Sequence, residues 1–161
     1  AFQFAADVLR GNKDFVLQAV AVDGRALRFA SAVLQADSEV VEKAVAQDGR
    51  ALEYAAAGLR GDAWIALRAV SQNHWGMQFA SESLRSEKPF VLQAVDRVGE
   101  SLQFVSDDMK ADEEVVLRAV VQQYSALQHA LWALRADREF ILRAVVLDGR
   151  ALQYAAPALQ A

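Results

Sequence analysis

The chain has no cysteine among its 161 residues. That excludes a disulfide framework and any zinc or iron–sulfur site built on thiolates; it is also compatible with a reducing compartment. Histidine occurs only at His74 and His129, so no His-Glu-x-x-His metal site can form, and no nucleophile elbow or phosphate-cradling glycine loop is present. Proline is confined to Pro89 and Pro157, and glycine to eight positions, as an all-helical chain requires. No apolar run approaches the ~20 residues of a membrane-spanning helix. A basic excess is missing too: 17 Lys and Arg stand against 21 Asp and Glu, which weighs against nucleic acid as the partner. What the chain has is apolar content, 54% of residues, enough for a core and too much for disorder.

That content is written as a repeat. At a spacing of 25 one slot reads Phe2, Leu27, Leu52, Met77, Leu102, Leu127, Leu152. Two residues on it reads Phe4, Phe29, Tyr54, Phe79, Phe104, His129, Tyr154. Leu9, Leu34, Leu59, Leu84, Met109, Leu134, Leu159 form a third column, and Ala19, Ala44, Ala69, Ala94, Ala119, Ala144 a fourth. No insertion interrupts them. The units run approximately over residues 1–24, 25–49, 50–74, 75–99, 100–124 and 125–149, with a partial unit at 150–161. Residues 1–161 thus read as a single array.

Each unit reads as two short helices. Leu52, Ala55, Ala56 and Leu59 fall at i, i+3, i+4 and i+7, one face of a first helix. Val115, Val116, Ala119 and Val120 place a second. Asp37, Asp62, Asp112 and Asp137 stand where the second helix needs an N-cap, with Asn12 and Glu87 as variants. Arg60, Arg85, Lys110 and Arg135 close the first helix, where a cation suits the dipole. Gly24, Gly49, Gly99 and Gly149 are expected to end the second in the left-handed conformation. Helices of about 10 residues are marginal alone, so stability must come from stacking. The expected fold is an all-α, right-handed α-solenoid of about six and a half 25-residue helix–turn–helix repeats.

Departures from the pattern mark candidate contacts. Glu42 stands in a leucine slot, either half-buried and tipped outward or a polar contact with another subunit. His74-Trp75-Gly76 replaces the Gly-Arg-Ala of Gly49-Arg50-Ala51, so that linker is expected to differ in shape, with Asn73 suited to a left-handed turn. Gln122-Gln123-Tyr124 lacks the glycine again. Pro89 falls in a first helical turn, where it is tolerated. Pro157 falls in what reads as a helix interior, which it should kink or end.

Asp-Gly-Arg-Ala-Leu-x-Tyr-Ala, Leu-Arg-x-Asp and Val-Leu-x-Ala-Val together resemble a tandem helical-repeat family known only as a domain of unknown function, seen in arrays in protists, unicellular algae and some bacteria. The clearest segments are Asp48 to Ala55, Leu134 to Asp137 with Phe140 to Val145, and Asp148 to Ala155. The resemblance covers the whole chain and implies the repeat fold. It carries no activity with it.

The residues themselves point away from catalysis. His129 replaces a core aromatic and reads as a satisfied core histidine. The recurrent carboxylates are explained as caps, so no enzyme, cofactor or metal site is expected. A binding scaffold is the better reading. Gln78, Gln103 and Gln128 belong to a glutamine row beside a basic row of Arg85, Lys110 and Arg135, on the order of 60 Å long at ordinary helix spacing. Trp64, Trp75 and Trp132 occupy slots that are polar, charged or small elsewhere, and tryptophan is enriched at interface hot spots. Trp64 could instead lie over Arg68. The contact region is expected at residues 73–76, 122–125 and 128–135, with Trp75, Trp132, His74 and Tyr124 beside the two rows. The partner is expected to be protein, within a larger assembly. The alternative is a helical-repeat RNA-binding module, which the glutamine row suits and the net charge opposes. The chain opens at Ala1 and stops at Ala161 inside a unit, so its ends are expected to be covered by further repeats or by partners.

Overall fold

The long helices start where a side chain can hold their first free N–H. In a computed structural model describing residues 7–160, Asn12, Asp37, Asp62, Asp112 and Asp137 each accept a hydrogen bond from the backbone two or three residues on. Glu87 sits at the same position but its side chain makes no such bond. Pro89 lies in the first turn of that helix. Contacts divide the chain into two compact units, Ala1–Ser81 and Glu82–Ala161, taken separately below. All regular structure among the described residues is helical.

The first unit runs α1 (Asp7–Arg10), α2 (Lys13–Val22), a 3-10 segment (Gly24–Phe29), α3 (Ala32–Gln35), α4 (Ser38–Gln47), a 3-10 segment (Gly49–Tyr54), α5 (Ala57–Arg60), α6 (Ala63–Gln72) and α7 (Gly76–Phe79). The second runs α8 (Glu82–Ser86), α9 (Lys88–Arg97), Gly99–Phe104, α10 (Asp107–Lys110), α11 (Glu113–Gln122), Tyr124–His129, α12 (Trp132–Ala136), α13 (Arg138–Leu147), Gly149–Tyr154 and α14 (Pro157–Gln160), the unlabelled segments being 3-10. Within each unit the ten-residue helices pack on one another, α2 on α4 on α6 and α9 on α11 on α13. The 3-10 segments pack likewise. Leu27, Leu52 and Met77 in one unit and Leu102 and Leu127 in the other are fully buried, each contributing about 1.5–3 kcal/mol on burial.

The expected first helix is not continuous. A 3-10 segment and a one-turn α-helix replace it, separated by extended residues such as Ala55 (φ −74°, ψ 150°) and Ala56 (φ −58°, ψ 151°). The break serves the stacking. Released from helical bonding, the N–H of Ser31, Ala56 and Ser81 donates to the carbonyls of Arg10, Gln35 and Arg60, all at 2.9 Å. In the second unit Ser106, Leu131 and Ala156 donate to Arg85, Lys110 and Arg135 at 2.9, 3.1 and 2.7 Å. Each repeat is thus latched by main chain to the repeat before it. Pro157 is explained by the same break. It opens α14 rather than interrupting a helix, at a position where a missing N–H loses nothing.

The glycines also differ from expectation. Among the described residues no glycine has positive φ, and Asn73 is extended (φ −156°) rather than left-handed. The constraint is proximity. A Cβ on Gly24 would overlap the Ala44 carbonyl oxygen, and one on Gly49 the Ala69 oxygen. On Gly99 it would lie 2.5 Å from the Ala119 oxygen. The glycine column and the alanine column of the following repeat are therefore one contact, in which neither side has room for another carbon. A glutamine secures it. Gln47 Oε1 accepts from Gly24 N–H and Gln72 Oε1 from Gly49 N–H, both at 2.6 Å. Their amide groups donate to the Val22 and Gln47 carbonyls.

Candidate interaction surface

In the first unit, residues 73–76 do form a linker of different shape. Asn73 Oδ1 accepts from Trp75 N–H at 3.1 Å, and α7 replaces the 3-10 segment. Gly76 takes the close approach, where a Cβ would meet Ala69 at 2.8 Å. His74 is half-buried and its ring lies 5.7 Å from that of Trp75, which is 43% exposed. Gln78 is exposed. Trp64 stands 60% exposed with the Arg68 guanidinium 5.9 Å from its ring. Glu42 is half-buried in an open groove of about 740 Å³ that also takes in Ser38, Lys43, Ala46 and Arg68.

In the second unit, Tyr124 occupies the glycine slot. Its ring sits 6.1 Å from Tyr154, under the Arg150 guanidinium at 4.1 Å. The residue opposite is Leu147 instead of glutamine, and α13 packs less extensively on α11 than α11 does on α9. A groove of about 440 Å³ opens there, lined by Leu117, Val121 and Leu147 and flanked by the Arg143–Glu113 ion pair. Gln128 is exposed and Gln103 half-buried.

The basic row is half-buried and directed inward. Arg135 Nε donates to the Tyr154 carbonyl at 2.8 Å, and Arg85 donates to the Phe104 carbonyl at 3.3 Å. Arg10 does the same to Phe29 in the first unit. Lys110 has a side chain only 22% exposed, 3.8 Å from Asp107. Arg10, Arg85 and Arg135 thus reach the end of the next 3-10 segment and satisfy a carbonyl there, as well as closing their own helices.

His129 is a satisfied histidine, in a half-buried slot rather than a fully buried one. Its Nε2 lies 2.9 Å from Glu100 Oε2, and Ser125 Oγ donates to the other oxygen of the same carboxylate. Glu100 and Ser125 both stand where Arg25, Arg50 and Arg150 stand in other units, so three departures from the pattern meet in one cluster. Reading the slots jointly would have found it. Leu131 lies inside the expected 128–135 stretch, although the sequence does not single it out. It is 36% exposed where the other repeats carry Ser31, Ala56, Ser81, Ser106 and Ala156, beside Trp132 at 60%. The Arg135 guanidinium lies 5.9 Å from the Trp132 ring.

Among the described residues no group of three or more His, Cys, Asp or Glu is placed to hold a metal ion, and no helix is long and apolar enough to cross a membrane.

Short helical hairpins, latched in series at a spacing of about 25 residues, define a tandem all-α repeat. A family model described as "Domain of unknown function (DUF4116)" matches five times in tandem, at residues 1–35, 12–60, 37–85, 65–110 and 87–135. The chain belongs to that family. No curated protein and no solved structure matches it.

Proposed function

We propose that the chain is a non-catalytic protein–protein interaction scaffold, or an accessory subunit of a larger assembly. The observation that carries this reading is the Leu131–Trp132 pair. Two large apolar residues are exposed at the start of α12, at slots where the repeat elsewhere uses small or polar side chains. The fold does not need them there, because five other repeats form the same turn without them. An exposed tryptophan beside a second apolar residue is the composition of an interface anchor. Trp75, in the first unit, is a separate candidate of the same kind.

Native co-purification followed by mass spectrometry, with and without nuclease, tests the reading. A protein partner that survives nuclease and is lost from a Trp132→Ala variant of unchanged helicity is the expected result. Recovery of nuclease-sensitive material, unaffected by Trp132→Ala or Trp75→Ala, would favour the RNA-binding alternative.

A further inference from the structure

We propose that the edge of the second unit formed by α10 and α12 takes a basic segment of a protein partner, with Trp132 as anchor and Asp107 and Asp108 as its charge partners. This rests on the scaffold reading and adds the chemistry of the occupant.

The charge asymmetry of that edge is the argument. In the second unit α8 and α10 carry both a cation and carboxylates, and α12 carries Arg135 alone, yet the two kinds of charge are disposed differently. Arg85 and Arg135 direct donors onto the Phe104 and Tyr154 carbonyls and are half-buried. Lys110 is 22% exposed at its side chain. The carboxylates face outward. Asp107 has a side chain 81% exposed, with one cation at 3.8 Å. Asp108 is exposed and makes no ion pair among the described residues, and Glu82 opens α8 exposed as well. On α8 and α10 the charges that a partner would meet are therefore mainly carboxylates, although the column of cations looks basic in sequence.

The main-chain latch brings the anchor to that charge. Leu131 N–H donates to the Lys110 carbonyl at 3.1 Å, so the start of α12 abuts the end of α10. Asp107 and Asp108 lie on that same helical turn, about 5 Å back along its axis. One short segment can reach the carboxylates and the indole together. The Trp132 ring already has a cation beside it, Arg135 at 5.9 Å. With 60% of the residue exposed, ring surface remains for a second, since an indole face attracts lysine and arginine. Phosphate backbones and anionic lipid surfaces would meet the exposed carboxylates of Asp107 and Asp108 here.

The test is a positional-scanning library of nonapeptides, each pool fixed at one residue, titrated against the labelled full chain. Enrichment of Lys and Arg with an apolar neighbour is expected, with affinity falling as salt rises. Trp132→Ala should weaken the best pool by about tenfold or more, and Asp107→Asn with Asp108→Asn by several-fold, both with unchanged circular dichroism. No bound pool, enrichment of acidic or neutral residues, or an Asn pair that binds like the parent would each overturn the proposal, as would stronger binding to mixed-sequence single-stranded RNA. If a natural protein partner depends on Trp132 but not on Asp107 and Asp108, the basic-segment proposal fails and the scaffold reading stands. If no protein is retained at all, the scaffold reading fails first.

Discussion

Gly49 and Gly58 stand nine positions apart in different surroundings. A Cβ on Gly49 would overlap the Ala69 carbonyl, whereas one on Gly58, within α5, would meet nothing within 4 Å. Neither has positive φ, so backbone strain does not separate them. Gly49→Ala should cost about 1–3 kcal/mol from overpacking. Gly58→Ala should be neutral or stabilise by about 0.5–1 kcal/mol by restricting the unfolded chain. Thermal unfolding of the two variants side by side checks this, and equal effects would contradict the close-approach explanation. The glycine column is plain in the sequence, but its reason is not. Sequence reports which residue type recurs, not that a carbonyl 20 positions on fills the space. A second clue is visible once the contact is known. Gly24, Gly49 and Gly99 are followed 23 positions later by Gln47, Gln72 and Gln122, whereas His74 and Tyr124 are followed by Arg97 and Leu147.

At the scale of the element, the break between 3-10 segment and short helix is the feature that apolar periodicity concealed. Leu52, Ala55, Ala56 and Leu59 satisfy a helical spacing whether or not two residues between the ends are extended, because both pieces bury the same side. Hydrogen bonding decides it, and the deciding partner lies in another repeat. Proline separates the two cases. Ala57 opens α5 as Pro157 opens α14, and Ala56 before it is already extended, so Ala57→Pro should be close to neutral. Ala56 has a φ of −58° that proline also adopts, but its N–H is the latch to the Gln35 carbonyl at 2.9 Å. Ala56→Pro should therefore cost about 1–3 kcal/mol, the loss of one part-buried hydrogen bond with its acceptor left unpaired. Urea denaturation of both variants reads the difference. A continuous first helix would instead make Ala57→Pro the damaging change.

The whole molecule is an array whose repeats are tied by recurrent ion pairs as well as by packing. Lys13 bridges Asp37 and Glu39 at 2.8 Å, and Lys88 bridges Asp112 and Glu114 at 2.8 and 2.9 Å. The hydrogen bond from Lys13 holds the Asp37 carboxyl below the ordinary aspartate value. Burial acts to raise Asp112, but the Lys88 hydrogen bond and the Val115 N–H outweigh it and the net shift is downward. The same two carboxylate contacts hold Lys13 and Lys88 above the ordinary lysine value. A depressed aspartate stabilises the fold fully above its unfolded value, about 3.9, and loses that contribution as pH falls through the lower folded value. For the raised lysines the contribution is complete below about 10.4 and fades as pH rises through the folded value. Thermal stability should thus be level near neutrality and decline below about pH 4. The acid limb should be shallower in Lys88→Met, which removes the cation that depresses Asp112. An unchanged acid limb in that variant would mean that other carboxylates dominate.

Repeat length, helical class and family were legible at this scale, because columns that recur every 25 residues without an insertion admit little else. The direction of the charged side chains was not. Arg85 and Arg135 look like a ligand-facing row when written as a column, and they turn inward because unpaired carbonyls at the end of the next 3-10 segment lie within their reach. That inward turn leaves Asp107 and Asp108 as the exposed charges of α10 beside Trp132, so both the architecture and the proposed surface depend on the latch between repeats. Amide hydrogen exchange resolved to single residues tests it most directly. The N–H groups of Ser31, Ala56, Ser81, Ser106, Leu131 and Ala156 should be slow, and those of Ala32, Ala57, Glu82, Asp107 and Trp132, at the open starts of the short helices, should be fast. Uniform protection running from the 3-10 segment through the short helix would mean an unbroken helix with no latch, and would contradict the account.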